Sequence, residues 1–327
     1  MAADRTRPGP SRRRGRLRQL QLHRGGPLSW TAAALRRLDE DAAGAPATPL
    51  RPYPADSRIL LKDESAQPSG SLKHRPVRAL LRAAIASGAL REGQAIVTPT
   101  SGNTAVAAAW FARLLDLPMV AVVPGRTRPD KTARIERLGG ECRRHDPPLA
   151  VYEEAGRLAD EIGGYVLDPF LPVDDRSLAT ELFGQLAEPP AWVVAGAGSG
   201  VTSAALGRHI RDGGLATRLA VADPENSAYF PAWAYDVRDY GTGMPSRIDG
   251  IGRPRVEPAF DASVVDVVIP VPDETSLALT RHLHETTGIP AGPSSGACLQ
   301  AALRLAAKRG EGTIVSLIAD APGTPAS

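Results

Sequence analysis

The segment AWVVAGAGSGVTSAALGRHIR, residues 191–211, decides the fold of this chain. Its first part, Ala191–Ala195, is an apolar run of the length expected for a buried strand. Thr202–Arg211 has apolar residues at helical spacing, and the turn Gly196–Gly200 between the two is rich in glycine. A strand that passes directly into a helix is typical of a βαβ unit, which predicts a parallel sheet.

The same alternation continues along most of the chain. Apolar runs predict further strands at Arg58–Lys62, Ala95–Thr98, Met119–Val123, Tyr165–Leu167, Leu219–Asp223 and Thr313–Ile318. Helical spacing predicts helices at Pro76–Ser87, Thr104–Leu115, Pro129–Leu138, Leu149–Ile162, Glu274–Thr286 and Gly296–Lys308. The Pro- and Gly-rich stretch 224–258 interrupts the alternation, and a loop of this length is usually functional. We therefore predict an α/β fold with mostly parallel sheets.

Length and composition limit the class of protein. A chain of 327 residues is long enough for about two domains. No apolar run approaches the ~18–20 residues of a membrane span, and no apolar segment follows the basic N-terminus as in a secretory signal. Cys142 and Cys298 are far apart, and the six histidines lack the spacing of metal ligands. We expect a soluble, cytoplasmic protein without a metal.

The positive charge is concentrated at the N-terminus. Residues 1–24 contain eight arginines and one acid, a local charge of +7, so the rest of this chain of formal charge +3 carries −4. We expect residues 1–25 to be a disordered basic arm and do not expect nucleic acid as a partner. Lysine, by contrast, is rare: the chain has only Lys62, Lys73, Lys131 and Lys308.

Lys73 stands in the loop QPSGSLKHR, residues 67–75, at the start of a predicted helix. The helix dipole is positive at that end, so a lysine there tends to lose its proton. An unprotonated amine is what a Schiff-base nucleophile requires. The alternative is a solvated surface lysine after a Gly/Ser loop, and this loop alone does not decide between the two.

Three other loops open predicted helices. Thr100–Thr104 has five small residues with hydroxyls, an amide and backbone N–H groups, which favours a carboxylate site over a simple helix cap. Gly196–Gly200 favours a monophosphate site, because the dinucleotide motif GxGxxG would need glycine at Val201 and no Walker lysine follows. Gly292–Ala297 offers the hydroxyl of Ser294, although a helix cap is the simpler explanation of that loop alone. Together the loops match pyridoxal phosphate holding an amino acid.

The chain resembles the pyridoxal-phosphate enzymes of the tryptophan-synthase-β fold type (fold type II), specifically the cysteine synthase and cystathionine β-synthase group. The resemblance runs from about residue 50 to 310 and includes all four loops in order. The segments most similar to a cysteine-synthase-like branch that includes L-cysteine desulfhydrases are Lys62–Ser65, Gly70–Arg75, Asp223–Ser227 and Gly250–Arg255. The resemblance implies two α/β domains with the cofactor in the cleft between them: a smaller mobile one at 67–177, and a larger one at 26–66 and 178–327.

The resemblance also implies a role for each site residue. Lys73 would be the catalytic residue, which binds the cofactor as a Schiff base and removes the α-proton of the substrate. Asn103 would lie beside the pyridoxal 3′-oxygen, and Ser294 would hydrogen-bond the pyridine nitrogen. The substrate carboxylate would be bound by Thr100, Ser101, Gly102, Asn103 and Thr104. The rest of the cofactor would be bound by Gly196, Ala197, Gly198, Ser199, Gly200 and Gly250.

The implied activity is β-elimination or β-replacement on L-cysteine or an O-activated L-serine, through an aminoacrylate. A serine beside the ring nitrogen leaves that nitrogen largely neutral, so the electrons leave readily by expelling a β-substituent. The sequence departs from cysteine synthase at His74, which stands where that family has aspartate, and at Pro169, which stands where it has a carboxylate-binding glutamine. The identity of the substrate therefore stays open. The resemblance also implies a homodimer.

Several alternatives remain. Within the same fold, the chain could be a threonine/serine dehydratase, a racemase, or a specialised synthase of a non-protein β-substituted amino acid. A nicotinamide oxidoreductase using residues 196–200 is disfavoured by Val201. A non-catalytic protein that only retains the cofactor is disfavoured because Lys73, Asn103 and Ser294 are all present.

Overall fold

Two parallel-rich sheets flanked by helices organise the chain. The computed structural model describes residues 29–239, 241, 246–308 and 312–321, so the predicted basic arm at 1–25 lies outside the described residues. The strands are β1 Leu50–Tyr53, β2 Asp56–Asp63, β3 Ile96–Thr98, β4 Met119–Pro124, β5 Glu141–His145, β6 Tyr165–Val166, β7 Trp192–Gly196, β8 Arg218–Pro224, β9 Val267–Val271 and β10 Ile314–Ile318. The α/β fold class is confirmed.

The helices mostly follow the strands, as in βαβ units. They are α1 Trp30–Gly44, α2 His74–Ala86, α3 Asn103–Leu115, α4 Pro129–Glu136, α5 Val151–Ile162, α6 Ser177–Gly184, α7 Val201–Asp212, α8 Tyr229–Tyr235, α9 Asp273–Thr287 and α10 Pro293–Lys308. No helix among the residues described here is long and apolar enough to cross a membrane.

The sheets draw on different stretches of the chain. The six-stranded sheet has the order β1-β2-β10-β7-β8-β9, and every neighbouring pair is parallel except β1 with β2. The four-stranded sheet has the order β5-β4-β3-β6 and is parallel throughout. Parallel strands need both faces covered, which explains why the central strands β7 and β8 are almost entirely apolar and buried.

Each sheet has its own core. Around the four-stranded sheet, α3 contributes a buried alanine-rich face, and Leu38 of α1 and Leu81 of α2 pack into the same cluster. Around the six-stranded sheet, α10 buries most of its length against β7, β8 and β10. Because alanine side chains are small, these helices can approach the sheets closely, which brings their N-termini near the strand ends.

Candidate active site

The loops that the sequence predicts as functional meet at the carboxyl ends of parallel strands. Residues 100–102 follow β3 and lead into α3, and residues 197–200 follow β7 and lead into α7. The loop before α2 is attached to the end of β10 by a hydrogen bond from the Leu72 N–H to the Ala319 C=O, with an N–O distance of 2.7 Å. This edge of a parallel sheet is where ligands bind in α/β proteins.

Two adjoining cavities lie where these loops meet, a larger one of about 630 Å³ and a smaller one of about 30 Å³. The predicted residues that line both are Lys73, Asn103, Gly198, Ser199 and Gly250. The larger cavity is also lined by Thr100, Ser101, Gly102 and Thr104. The smaller one is also lined by Gly196, Gly200 and Ser294. Ala197 is the one predicted site residue that lines neither cavity, because its side chain is buried in the core.

Lys73 is half-buried and lies beside the glycine-rich loop. A Cβ atom built on Gly198 would be 3.5 Å from the Lys73 Nζ atom. Burial lowers the pKa of Lys73; the Asp320 carboxylate acts against this lowering, and the Arg253 guanidinium adds to it. The neutral amine is therefore more available at Lys73 than at an ordinary lysine, and the cause is burial, not the helix dipole from which the sequence argument started.

The loop 196–200 needs its glycines for close backbone approach. A Cβ atom on Gly198 would be 2.2 Å from the Gly250 carbonyl oxygen, and one on Gly200 would be 2.5 Å from the Phe260 backbone nitrogen. Gly200 also has a left-handed backbone, with φ of +91°, at the N-cap of α7. The Tyr229 hydroxyl donates to the Gly198 carbonyl oxygen at 2.5 Å and so fixes the loop from behind. The result is a rigid turn at a helix N-terminus, a favourable site for an anion.

The loop before α3 has free donors of the same kind. The Gly102 N–H donates to the Thr100 Oγ1 atom at 3.2 Å, which shapes the turn. Gly102 is the N-cap of α3, so it has no side chain that could cap the helix. The first N–H groups of α3 and the nearby hydroxyls are thus available to a carboxylate.

Residues of the outer wall face the same larger cavity. The Arg253 guanidinium lies 4.5 Å from the centre of the Phe170 ring, and its Nε donates to the buried Glu257 Oε1 at 3.0 Å. Pro169 also lines this cavity and has no side-chain donor. At this part of the wall, a guanidinium held in place by Glu257 therefore lies beside the apolar surface of Phe170 and Pro169.

Comparison with known proteins decides the family. The pyridoxal-phosphate dependent enzyme family matches residues 43–320. The chain belongs to this family.

Comparison with individual proteins shows which enzymes this chain is similar to. An L-cysteine desulfhydrase, Cds1, of Mycobacterium tuberculosis (strain ATCC 25177 / H37Ra) is 42% identical over 315 residues, which cover 89% of this chain and 86% of that protein. A cysteine synthase of Helicobacter pylori is 30% identical over 277 residues, or 82% of this chain and 87% of that protein. The solved structure of an O-ureido-L-serine synthase superposes with a TM-score of 0.76 at 25% identity, over 86% of this chain and 91% of that one. The fold type II resemblance is thereby confirmed.

The described residues fit the family's cofactor, pyridoxal phosphate. Three side-chain oxygens that line the smaller cavity are buried and have no hydrogen-bond partner among the described residues: Ser71 Oγ, Asn103 Oδ1 and Asp320 Oδ1. A buried polar atom left unpaired costs about 1–3 kcal/mol, so a polar ligand that bonds to these atoms would offset that cost. Lys73 supplies the amine, and loop 196–200 supplies donors for a phosphate. No cluster of metal-ligating side chains occurs among the residues that the structure describes.

Among the residues of the site that were not predicted from the sequence, two fix the positions of predicted ones. Asp320 lines both cavities at the end of β10, and Tyr229 holds the Gly198 carbonyl. The signal available for Asp320 was its place directly after a buried strand, where a parallel sheet collects functional residues. Tyr229 lies in the stretch 224–258, which interrupts the strand–helix alternation. From the sequence alone, an aromatic residue there suggests a place in the hydrophobic core.

Proposed function

We propose that this chain catalyses the β-elimination of L-cysteine, which consumes one water and releases sulfide, ammonia and pyruvate. The observation that carries this proposal is a juxtaposition: the amine of Lys73 and the loops 100–104 and 196–200 line two adjoining cavities. The 42% identity to a protein named L-cysteine desulfhydrase supports the choice of substrate. The bound cofactor supplies an electron sink for the α-carbon, and the chain's own residues do the rest.

Lys73 would be the catalytic base. Its amine takes the proton from the α-carbon of the substrate and returns a proton later in the cycle. Burial lowers the pKa of Lys73, so its amine is more readily unprotonated whenever it is not linked to the cofactor. The Asp320 carboxylate nearby stabilises the protonated form that follows the proton transfer.

The loop 100–104 would orient the substrate. Its hydroxyls and the free N–H groups at the start of α3 bind the α-carboxylate, which leaves the α-hydrogen facing the Lys73 amine. This fixed orientation reduces the entropy cost of proton transfer. The large cavity beside it has room for the β-substituent and for its departure.

The remaining residues would hold the cofactor. Gly196, Gly198, Ser199 and Gly200 bind its phosphate at the N-terminus of α7, and Gly250 leaves space for the ring. Ser294, which is 3% exposed at the start of α10, bonds the ring nitrogen through a neutral hydroxyl. Asn103 contacts the ring oxygen. This set of roles is supported by the shared lining of the two cavities.

The test is product release from L-cysteine. We expect the purified protein to release pyruvate and sulfide in equal amounts, and Lys73→Ala to lower the rate by about 10³-fold. Lys308→Ala, at the exposed end of α10, is the matched control and keeps the rate within about twofold. Wild-type protein that carries the cofactor but releases neither product from L-cysteine would overturn the proposal.

β-Replacement on an O-activated L-serine is the second candidate. It is supported by the 30% identity to a cysteine synthase and by the likeness to the O-ureido-L-serine synthase structure. Incubation with O-acetyl-L-serine and sulfide distinguishes the two candidates, since replacement yields L-cysteine and acetate. Faster formation of L-cysteine than of pyruvate would favour this second activity.

We further propose the organisation that the family resemblance implies: a homodimer in the cytoplasm, with a smaller domain at 67–177 and a larger one at 26–66 and 178–327. The domain division is supported by the two sheets, which take their strands from residues 96–166 and from residues 50–63 and 192–318. Sedimentation and cell fractionation test the first two statements, and limited proteolysis tests the third.

A further inference from the structure

Asp320 is an acid at the junction of the two cavities of the site. It directly follows the short loop at the end of β10 and lines both cavities. In the smaller cavity, Asp320 and Lys73 are the only charged side chains of the described lining. The proposed function names Asp320 only as a carboxylate near Lys73 and gives no role to its contact with Asn103.

The contacts of the Asp320 carboxylate are specific. Its Oδ2 atom accepts a hydrogen bond from the Asn103 Nδ2 atom at 2.5 Å, whereas its Oδ1 atom is buried without a partner. An ionised carboxylate can only accept hydrogen bonds, so the NH₂ end of the Asn103 amide must face it. The Oδ1 atom of Asn103, which is also buried and unpaired, is then left as an acceptor.

The backbone leaves room for this carboxylate. A Cβ atom built on Gly292 would be 2.1 Å from the Asp320 Oδ1 atom. The Gly292 N–H also donates to the Asp320 C=O at 2.9 Å, so the two residues are held together. Any larger residue at position 292 would push the carboxylate away from its present place.

The charges around Asp320 are unequal. Burial raises the pKa of Asp320 above its ordinary value, and the Asp249 carboxylate adds to this rise, whereas the Asn103 hydrogen bond and the charges of Arg134 and Lys73 act against it. For Lys73 the charged neighbours are Asp320 and Arg253, which act in opposite directions. Asp320 is therefore the acid that faces the Lys73 amine, and Asp249 is instead paired with Lys131 at 2.8 Å.

We propose that Asp320 is a positioning residue of this active site: its carboxylate orients the Asn103 side-chain amide and is the counter-charge for protonated Lys73. This rests on the proposed function only in that Lys73 carries the proton. When Lys73 takes up a proton in a buried site, the new ammonium is costly unless an opposite charge lies near it. Asp320 supplies that charge while it is held against loop 100–104 by the hydrogen bond from Asn103.

The scarcity of lysine allows a direct test on the full-length chain freed of cofactor. Competitive acetylation across pH, read by peptide mass spectrometry, gives the labelling midpoint of Lys73, with exposed Lys308 as the internal reference. Asp320→Asn removes the charge at constant size. The ammonium of Lys73 then loses its stabilising partner, so we expect the midpoint to fall by about 1 pH unit. Asp249→Asn, the same change at the neighbouring acid, should move it by less than about 0.3 unit.

The second arm tests the Asn103 contact through cofactor affinity, measured by fluorescence. We expect Asp320→Ala to weaken pyridoxal phosphate binding about 10-fold in the parent chain but less than about threefold in an Asn103→Ala background. If Asp320→Asn does not fold, Gly292→Ala takes its place. This variant keeps the Asp320 carboxylate but displaces it, so we expect the Lys73 midpoint to fall as well. An unchanged Lys73 midpoint in folded Asp320→Asn, or equal losses of affinity in both backgrounds, would overturn the inference.

The outcome is separable from that of the proposed function. Lysine labelling and cofactor affinity do not depend on which amino acid is turned over. A shifted midpoint with no pyruvate from L-cysteine would overturn the proposed function alone, and an unshifted midpoint in an active enzyme would overturn the inference alone.

Discussion

Asp223 sets a pH dependence of stability at the scale of one residue. It lies at the end of β8, is fully buried, and burial raises its pKa to about 7 from 3.8. The folded state therefore holds a proton that the unfolded chain releases, and stability falls as the pH rises from about 4 to 7. We expect Asp223→Asn to abolish this part of the slope, worth on the order of 2–4 kcal/mol, in urea unfolding measured across pH. A slope that persists unchanged in the variant would show that the proton is held elsewhere.

Tyr229 gives a second prediction at this scale. Its hydroxyl is the donor to the Gly198 carbonyl, and its ring stacks on Phe260 with centroids 4.2 Å apart. Tyr229→Phe keeps the stacking and removes the donor, at a cost of about 1 kcal/mol. We expect cofactor affinity to fall about fivefold in a fluorescence titration, with Tyr235→Phe, which is 71% exposed, as an unaffected control. Equal affinity in both variants would contradict the proposed role of this hydrogen bond.

Sequence reasoning finds site residues that sit in recognisable local chemistry. Lys73 is a rare lysine at a helix start, and the loops at 100–104 and 196–200 are runs of small residues directly after strands. Asp320 was not predicted, because a single acidic residue after an apolar strand is not a recognisable motif. Its significance depends on Asn103 and Gly292, which are distant in sequence and meet it only in the folded chain.

At the scale of elements, one ionic network ties α6 to β2 and to α2. Glu181 of α6 accepts hydrogen bonds from the buried Lys62 Nζ and from Arg75 Nη2, the latter at 2.8 Å. Burial alone would raise the pKa of Glu181, but these two bonds and the Arg75 charge outweigh it and lower the pKa to about 2. The contribution to stability is therefore present above about pH 4.5 and lost as the pH falls toward 2.

Because of this network, we expect a single substitution at Glu181 to lower the stability of the fold considerably. Glu181→Gln leaves the buried Lys62 ammonium without its paired carboxylate and leaves Arg75 with Glu64 alone. We therefore expect a loss of about 3 kcal/mol in the free energy of unfolding at pH 7. The gap between wild type and variant should close as the pH falls below 4.5. Glu161→Gln, which breaks an exposed pair with Arg157, should cost less than about 0.5 kcal/mol. Similar losses at both positions, in denaturant unfolding, would contradict the account.

Strand prediction succeeds for every central strand and for the edge strand β6, but it misses the other three edge strands. The seven predicted strands all exist, but β1, β5 and β9 were not predicted, and each is an edge strand. β1 and β9 contain Pro52 and Pro270, which a sheet tolerates at an edge, and β5 is the polar segment ECRRH. An edge strand has one neighbouring strand and often one face exposed to solvent. It therefore does not need the apolar run by which a central strand is recognised.

At the scale of the whole molecule, the excess positive charge and the residues of the active site lie in different parts of the sequence. The eight arginines before residue 25 account for the basic balance, whereas the remainder of the chain carries −4. The cavities are lined by residues from 71 onward. We expect a chain that begins at residue 25 to keep kcat/KM for L-cysteine within about twofold, and to become acidic in isoelectric focusing. A truncated chain that folds but loses turnover would show that the arm takes part in the reaction.

The account as a whole rests on one covalent link, between the cofactor and Lys73. Borohydride reduction of the purified enzyme makes this link permanent, and the four lysines of the chain allow it to be located by peptide mass spectrometry. We predict one pyridoxyl-phosphate adduct per chain, on the peptide that contains Lys73. An adduct on Lys62, Lys131 or Lys308 instead, or a cofactor-saturated protein without any adduct, would contradict it.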